Sequence, residues 1–303
     1  MIGVFDIGGT NVRAGLVSED GALVARRSRL IPPNADARRF LDLTCALLNS
    51  LISQEEEELT AIGAGSCGVI RDGSILYSPN TQWKSLALAE ALTARFHVPV
   101  SVINDAEAFA LGVFHYEFKG QFSGLCALTL GSGLGGSLVS EKAAVRTMSG
   151  VSPEIGHIKV REGGARCSCG GSGCLEAYVS KRALMASYRR YGGSADALSP
   201  YDVYQAFKRG DDAAKKAFAA FGRYLGTGMS TVYSLLAPQA FVLGGGISRA
   251  ATAFLPAARQ ALSKGIVKGI GPRPRIVVSK MRSRASLLGA AYQAQDSFRT
   301  VLK

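Results

Sequence analysis

Alternating apolar and polar positions dominate the first thirty residues. IGVFDI, NVRAGLV and ALVARRSRL read as strands, joined by GGT and by SEDG, whose Asp20-Gly21 pair signals a tight hairpin. The period then lengthens, and residues 34–59 carry apolar side chains at helical spacing before an acidic end. AIGAGSCGVI and SILYS return to strand character. Residues 84–97 predict a helix, VPVSVI a strand, and DAEAFALGVFHYEF a helix with Asp105 near its start. A second meander follows on the plan of the first: CALTL, a glycine turn GSGLGG, SLVS and KAAVRT. Residues 180–236 predict mostly helix. AFVL is a buried-type strand running into Gly244, Gly245 and Gly246, with Ser248 the expected N-cap of a helix through Leu262. PRIVVSK is a late strand, and residues 285–298 form a closing helix. Strands and helices mixed at this spacing predict an α/β fold, and the repeated meander predicts two duplicated domains.

Composition narrows the class. The 303 residues are 47% hydrophobic and 19% charged, which suits a globular protein with a sizeable core. The nearest approach to a membrane span, residues 125–139, is short and broken by four glycines. The first ten residues lack the basic region and cleavage site of a secretory signal. A cytoplasmic protein with no membrane partner is therefore expected. The net charge of +12 has a definite location. From Ala213 to Gln295 there are twelve Lys and Arg and no acid, while the rest of the chain balances 23 basic against 23 acidic residues. Such a stretch is either solvated surface or an attractor of polyanions. No aromatic-interleaved stripe or nucleic-acid motif accompanies it, so nucleic acid is not an expected partner.

Three clusters carry candidate chemistry. Gly8, Gly9 and Thr10, with Asp6 and Asn11 beside them, lie between two strands. That context excludes a dinucleotide fingerprint, which needs strand, turn, helix, and no Gly-Lys-Ser/Thr of a P-loop occurs. Glycines still let backbone N–H groups approach phosphate oxygens, and Asp6 offers oxygen to Mg²⁺. One such loop alone reads as a tight turn. Three glycine clusters, at 8–10, at Gly131, Ser132 and Gly133, and at 244–246, point to a nucleotide between duplicated domains. The second cluster is Asn104-Asp105, where a strand opens into a helix. Asp105 is there equally an N-cap and a carboxylate placed where α/β folds bind ligands. The third is His157 with Cys167, Cys169 and Cys174. Three thiolates and one imidazole make a closed zinc set, and the glycines at 170, 171 and 173 let the sulfurs converge. Zinc here is structural.

The motifs DIGGTNVRAGLV, NDAEAFALG, LGSGLGGSLV, PEIGH, CSCGGSGCLE and VLGGGIS resemble, in order and spacing, the ROK family of sugar kinases and repressors. The resemblance spans essentially the whole chain, and the cysteine run is its most specific part. It implies two actin-like (ribonuclease H-like) domains with a ligand cleft between them. Residues 1–114 with 286–303 would form the smaller domain, and 115–285 the larger, which carries the zinc knuckle. It implies an ATP- and Mg²⁺-dependent transfer to the 6-hydroxyl of a hexose, with Asp105 the base and Asn104 holding a neighbouring hydroxyl. Gly68, Asn80, Glu154, His157 and Glu176 match the family's sugar-contact positions. Trp83 reads as a packed aromatic. One His157 nitrogen would bind the metal and the other a sugar hydroxyl. Asp6, the residues of the 8–11 turn, Gly131, Ser132, Gly133, Gly244 and Gly245 would hold ATP. A homodimer is expected.

Four positions depart from the family pattern: Cys67 for proline, Asn11 for the lysine of GGTK, Glu107 for asparagine, and Ser152-Pro153 before EIGH. The alternatives are an N-acetylmannosamine or N-acetylglucosamine kinase, a polyphosphate-using hexose kinase, and a non-catalytic sugar-sensing regulator. Family repressors carry a helix-turn-helix ahead of the kinase-like part, and a first strand at residue 2 leaves no room for one.

Overall fold

The computed structural model describes residues 1–33, 35–55, 57–78 and 84–299. The chain divides into two compact units, residues 1–123 with 137–153 and 280–303, and residues 124–136 with 154–279. The expected boundary at 114/115 falls inside a continuous helical run, and the division lies at 123/124 instead.

The first unit opens with β1 (Ile2–Ile7), β2 (Asn11–Val17) and β3 (Leu23–Leu30), an antiparallel meander as the alternation predicts. α1 (Ala37–Ile52) is shorter than its helical pattern: Asp36 caps its start, accepting from the Arg39 N–H at 2.7 Å, and Ser53 closes its end, donating to the Asn49 carbonyl at 3.0 Å. β4 (Ala61–Ser66) joins β1 in parallel. β5 (Val69–Arg71), β6 (Ser74–Tyr77) and β7 (Lys84–Leu86) make a small separate sheet. The helix expected over 84–97 is thus a strand and then α2 (Leu88–Phe96), since Lys84 and Leu86 pair with β6. β8 (Val100–Asn104) lies parallel to β4 and leads into α3 (Asp105–Gly112), which continues as one π-helical stretch, Val113–Phe118. The main sheet runs β3-β2-β1-β4-β8. One face buries Phe5, Ile7 and Val12 against Phe40 and Leu48 of α1 and Leu92 of α2. The other buries Ile2 and Val4 against the C-terminal helix.

The second unit repeats the plan. β9 (Gly124–Leu130) is followed by β10 (Leu134–Ser140), whose chain passes back into the first unit and pairs with a two-residue β11 (Ala143–Ala144). α4 (Lys181–Arg190), α5 (Pro200–Lys208) and α6 (Asp212–Leu236) supply the expected helical stretch. β12 (Ala240–Gly244) lies parallel to β9. α7 (Ala251–Gly265) does not start at Ser248. That hydroxyl donates to the Gly245 carbonyl at 2.8 Å inside a 3₁₀ turn, and the helix begins after Ala250. β13 (Arg275–Val278) completes the order β11-β10-β9-β12-β13, the arrangement of the first sheet. α8 (Arg284–Arg299) returns to the first unit and packs on α3. Among the described residues no helix is long and apolar enough to cross a membrane.

Candidate functional site

In the first unit the carboxyl ends of β1, β4 and β8 lie side by side, with Ile7 opposite Ser66 and Ser66 opposite Asn104. Asn104, not Asp105, caps α3. Its Oδ1 accepts from Ala106 N at 2.9 Å and Glu107 N at 3.3 Å, and its Nδ2 donates to the Gly68 carbonyl at 3.0 Å. Gly68 has φ +103°, and a Cβ there would lie 2.4 Å from the Tyr77 carbonyl oxygen, so only glycine fits beside Asn104. Asp105 is half-buried in the first turn, and its Oδ1 accepts from Ala106 N at 2.9 Å.

Asp6 shares that face. It alternates with Phe5 and Ile7, which enter the opposite core, and it stands opposite Gly65. A Cβ on Gly65 would touch Ala108 and lie 3.6 Å from the Asp105 Cα, so this glycine lets the start of α3 settle beside Asp6. The Cys67 thiol reports the crowding. Burial, with Asp105 adding and Asp6 adding less, pushes it up to about 11. Asp6 is itself buried and bound by Arg13, Nη1 to Oδ2 2.6 Å. Burial raises its carboxyl above the ordinary range, against the opposing pull of Arg13. The turn beside it is closed by Gly8 N on the Asn11 carbonyl at 2.9 Å.

In the second unit the other two glycine clusters come together. Gly244 stands opposite Thr129 in the β9–β12 pair. A Cβ on Gly245 would lie 2.3 Å from the Leu130 carbonyl, just before Gly131, Ser132 and Gly133. Glu176 adjoins the same turn: its Oε2 accepts from Leu134 N at 3.0 Å, and its Oε1 accepts from the Ser168 hydroxyl. Glu176 thereby links the glycine turn to the cysteine loop.

His157, Cys167, Cys169 and Cys174 bring four ligand atoms within 4.8 Å of one another. A tetrahedral ion with metal–sulfur bonds of about 2.3 Å separates two sulfurs by about 3.8 Å, and a sulfur from an imidazole nitrogen by about 3.5 Å. Cys169 and Cys174 are 3.7 Å apart, and Cys167 Sγ is 3.5 Å from His157 Nδ1. The donor set fits zinc. Burial raises the Cys167 thiol to about 11, and the Gly171 N–H holds that of Cys169 below its usual value. A central dication would keep all three as thiolates. With Nδ1 on the metal side, His157 Nε2 is left 3.8 Å from Glu154 Oε2. Burial raises the Glu154 carboxyl, His157 pulls it down, and Glu176 pushes it up again.

The ROK family model matches residues 1–297. The chain belongs to the ROK family. This ROK chain is 30% identical to the glucokinase of Streptomyces coelicolor, covering 97% of each. It superposes on a ROK glucokinase from Streptomyces griseus, solved with glucose and AMPPNP, with a TM-score of 0.84, 30% identity, and 96% and 98% of the two chains covered. The xylose repressor of Bacillus subtilis is 26% identical over 97% of this chain but only 76% of its own length. The fold is the two-domain, actin-like α/β fold of ROK sugar kinases.

Of the expected site residues, the first unit gathers Asp6, the 8–11 turn, Gly68, Asn104 and Asp105. The second gathers Gly131, Ser132, Gly133, Gly244, Gly245, Glu154, His157, Glu176 and the three cysteines. Asn80 and Trp83 lie outside the described residues. Sequence reasoning missed Arg13 on Asp6, Ser168 on Glu176, and Lys159, whose Nζ lies 3.0 Å from Cys174 Sγ. Only Arg13 left a signal, because strand alternation puts it on the face of Asn11.

Proposed function

We propose that this ROK chain transfers the terminal phosphate of ATP to the 6-hydroxyl of a hexose of the glucose type. The observation that carries the reading is the division of labour at the start of α3. Asn104 caps the helix, so Asp105 holds a carboxylate at the strand ends, on the face of Asp6, without serving as the cap. Asp105 accepts the proton of the attacking hydroxyl, and Asn104 and Gly68 line the sugar. Glu154, His157 and Glu176 accept or donate bonds to its remaining hydroxyls. The amides of the 8–11, 131–133 and 244–245 turns hold the phosphates. Asp6 would hold Mg²⁺, which would neutralise phosphate charge. His157, Cys167, Cys169 and Cys174 would hold zinc, which would fix the imidazole. The glucose-type reading draws on two glucokinase relatives at 30% identity. The protein works in the cytoplasm as a homodimer.

A coupled assay across glucose, mannose, N-acetylmannosamine and N-acetylglucosamine, with ATP, tests this. Glucose is expected to give the highest kcat/KM. Asp105→Ala is expected to lower kcat by roughly 10²–10⁴-fold, the usual share of a general base, with unchanged zinc content and melting temperature. An amino sugar leading the panel would reassign the substrate. Sugar binding without turnover in the wild type would make the chain a regulator.

A further inference from the structure

β3 is the outer strand of the first sheet, with β2 on one side and, among the described residues, no strand on the other. The Ile31 N–H donates back to the Thr10 carbonyl at 3.0 Å. Main-chain groups alternate in direction along an antiparallel strand, so those of Arg26, Ser28 and Leu30 point away from β2. Side chains alternate as well. Ala25 packs on the core that α1 covers, so Arg27 and Arg29 share the face of α1. Beyond the edge lies a cleft of about 520 Å³. Its walls are Arg27 and Arg29 of β3 and Leu43, Ala46, Leu47 and Ser50 of α1, one stripe of that helix by their spacing. Ser28 lines it too, and among the described residues no part of β2 does. The cleft therefore occupies the place where a further strand, about 4.8 Å out, would lie.

Charge there has one sign. The ion pairs among the described residues leave out Arg26, Arg27 and Arg29. The neighbouring acids of α1 are engaged elsewhere: Asp42 pairs with Arg95 at 2.7 Å, and Asp36 caps the helix. Charge on a strand edge also serves to repel other strands. Repulsion needs charge alone. It needs no apolar shelf over the next strand position, and it turns to attraction for a strand that carries acid.

We propose that the β3 edge is a docking site for an acidic segment of a partner protein, taken up in extended form as a sixth strand of the first sheet. Main-chain bonds to Arg26, Ser28 and Leu30 fix its register. A carboxylate at every second residue meets Arg27 and Arg29, as opposite charges on neighbouring strands attract. Leu43, Ala46 and Leu47 cover the stems of those side chains. Charge selects an acidic partner, and the unpaired edge selects an extended one. The docking is independent of the kinase reading, because the glycine turns, the cysteine loop and the Asn104-Asp105 pair take no part in it.

The test is fluorescence anisotropy of a short labelled peptide alternating Glu and Val, titrated with the full chain at low salt. Saturable binding is expected. Arg27→Gln/Arg29→Gln should weaken it roughly threefold to thirtyfold, the range for two cross-strand charge pairs, with an unchanged melting temperature. An acid opposite Arg27 or Arg29 has its own N–H turned outward, so the valines between the acids make the main-chain bonds. A second peptide with proline in place of valine keeps the charge and lacks those donors. It should bind the wild type roughly tenfold more weakly or worse. The basic C-terminal third attracts both peptides alike, so the comparison cancels it. Equal affinity of the two peptides, equal affinity of wild type and variant, or no saturable binding overturns the proposal, and the arginines are then only a guard on the edge. Loss of the kinase reading changes none of these outcomes.

Discussion

Two residues beyond Asp105, Glu107 is almost wholly buried and takes both Nε and Nη2 of Arg146 on one oxygen, at 3.2 and 2.8 Å. Burial raises its carboxyl, and Arg146 pulls it back by hydrogen bond and charge. A raised folded-state value means that the native protein keeps this proton to higher pH than the unfolded chain. The contribution to stability is then full below the unfolded value and is lost as pH rises through the folded one. Glu107→Gln removes that loss, so in urea unfolding the wild type should fall further than the variant between pH 4 and neutrality. Arg146→Ala leaves a buried charge uncompensated. It should cost about 1–3 kcal/mol at neutral pH, toward the low end because Arg146 is half-exposed, and the cost should shrink on acidification. A pH-independent cost would show that the pair contributes packing alone. Glu107 was visible in the sequence as a departure from the NDAN pattern. Its partner was not, because Arg146 is 39 residues away and the contact needs β11 brought beside α3.

The cysteine loop shows which parts of an element a sequence can encode by itself. Its candidate ligands follow from chemistry and spacing, because thiolates this close, with glycines between them, can converge on one ion. The edges of 3.5 and 3.7 Å are those of a tetrahedron. What the spacing omits is the web around it: Lys159 on Cys174, and Glu176 joining Ser168 to Leu134. Those contacts join segments up to 42 residues apart, so no local pattern carries them. The same limit explains the elements read wrongly. Residues 84–86 have helical spacing but are claimed by an edge of β6, and Ser248 has a capping side chain but bonds backward to Gly245. Cys169 is the one exposed cysteine of the loop, and Cys174 is fully buried. Cys169→Ala therefore removes a candidate metal ligand with little loss of packing. It should lower zinc content well below one ion per chain by mass spectrometry and drop the melting temperature. A strong chelator should reproduce both effects in the wild type and add nothing to the variant. Full zinc content in Cys169→Ala would remove this residue from the ligand set.

At the scale of the whole molecule the two sheets have one order, three antiparallel strands followed by two parallel ones, and the repeated meander in the sequence announced it. Charge is not shared in the same way. All twelve Lys and Arg between Ala213 and Gln295 are exposed, and Lys215 pairs with Asp212, just outside that acid-free stretch. An exposed field of one sign attracts polyanions through released counterions, so affinity falls as salt rises. Long-chain polyphosphate should bind the protein at low ionic strength, with the logarithm of affinity falling linearly with the logarithm of salt. Replacing Lys264, Lys268 and Arg273 with Gln should flatten that slope. ATP carries few charges and, on the proposed reading, would be held by the glycine turns, so its KM should be the same in the triple variant. Donor use separates the two readings of this surface. Polyphosphate-driven turnover that weakens with the flattened slope would make the basic third a donor track. An unchanged slope and unchanged turnover with both donors would leave it as solvated surface, with its charge serving solubility alone.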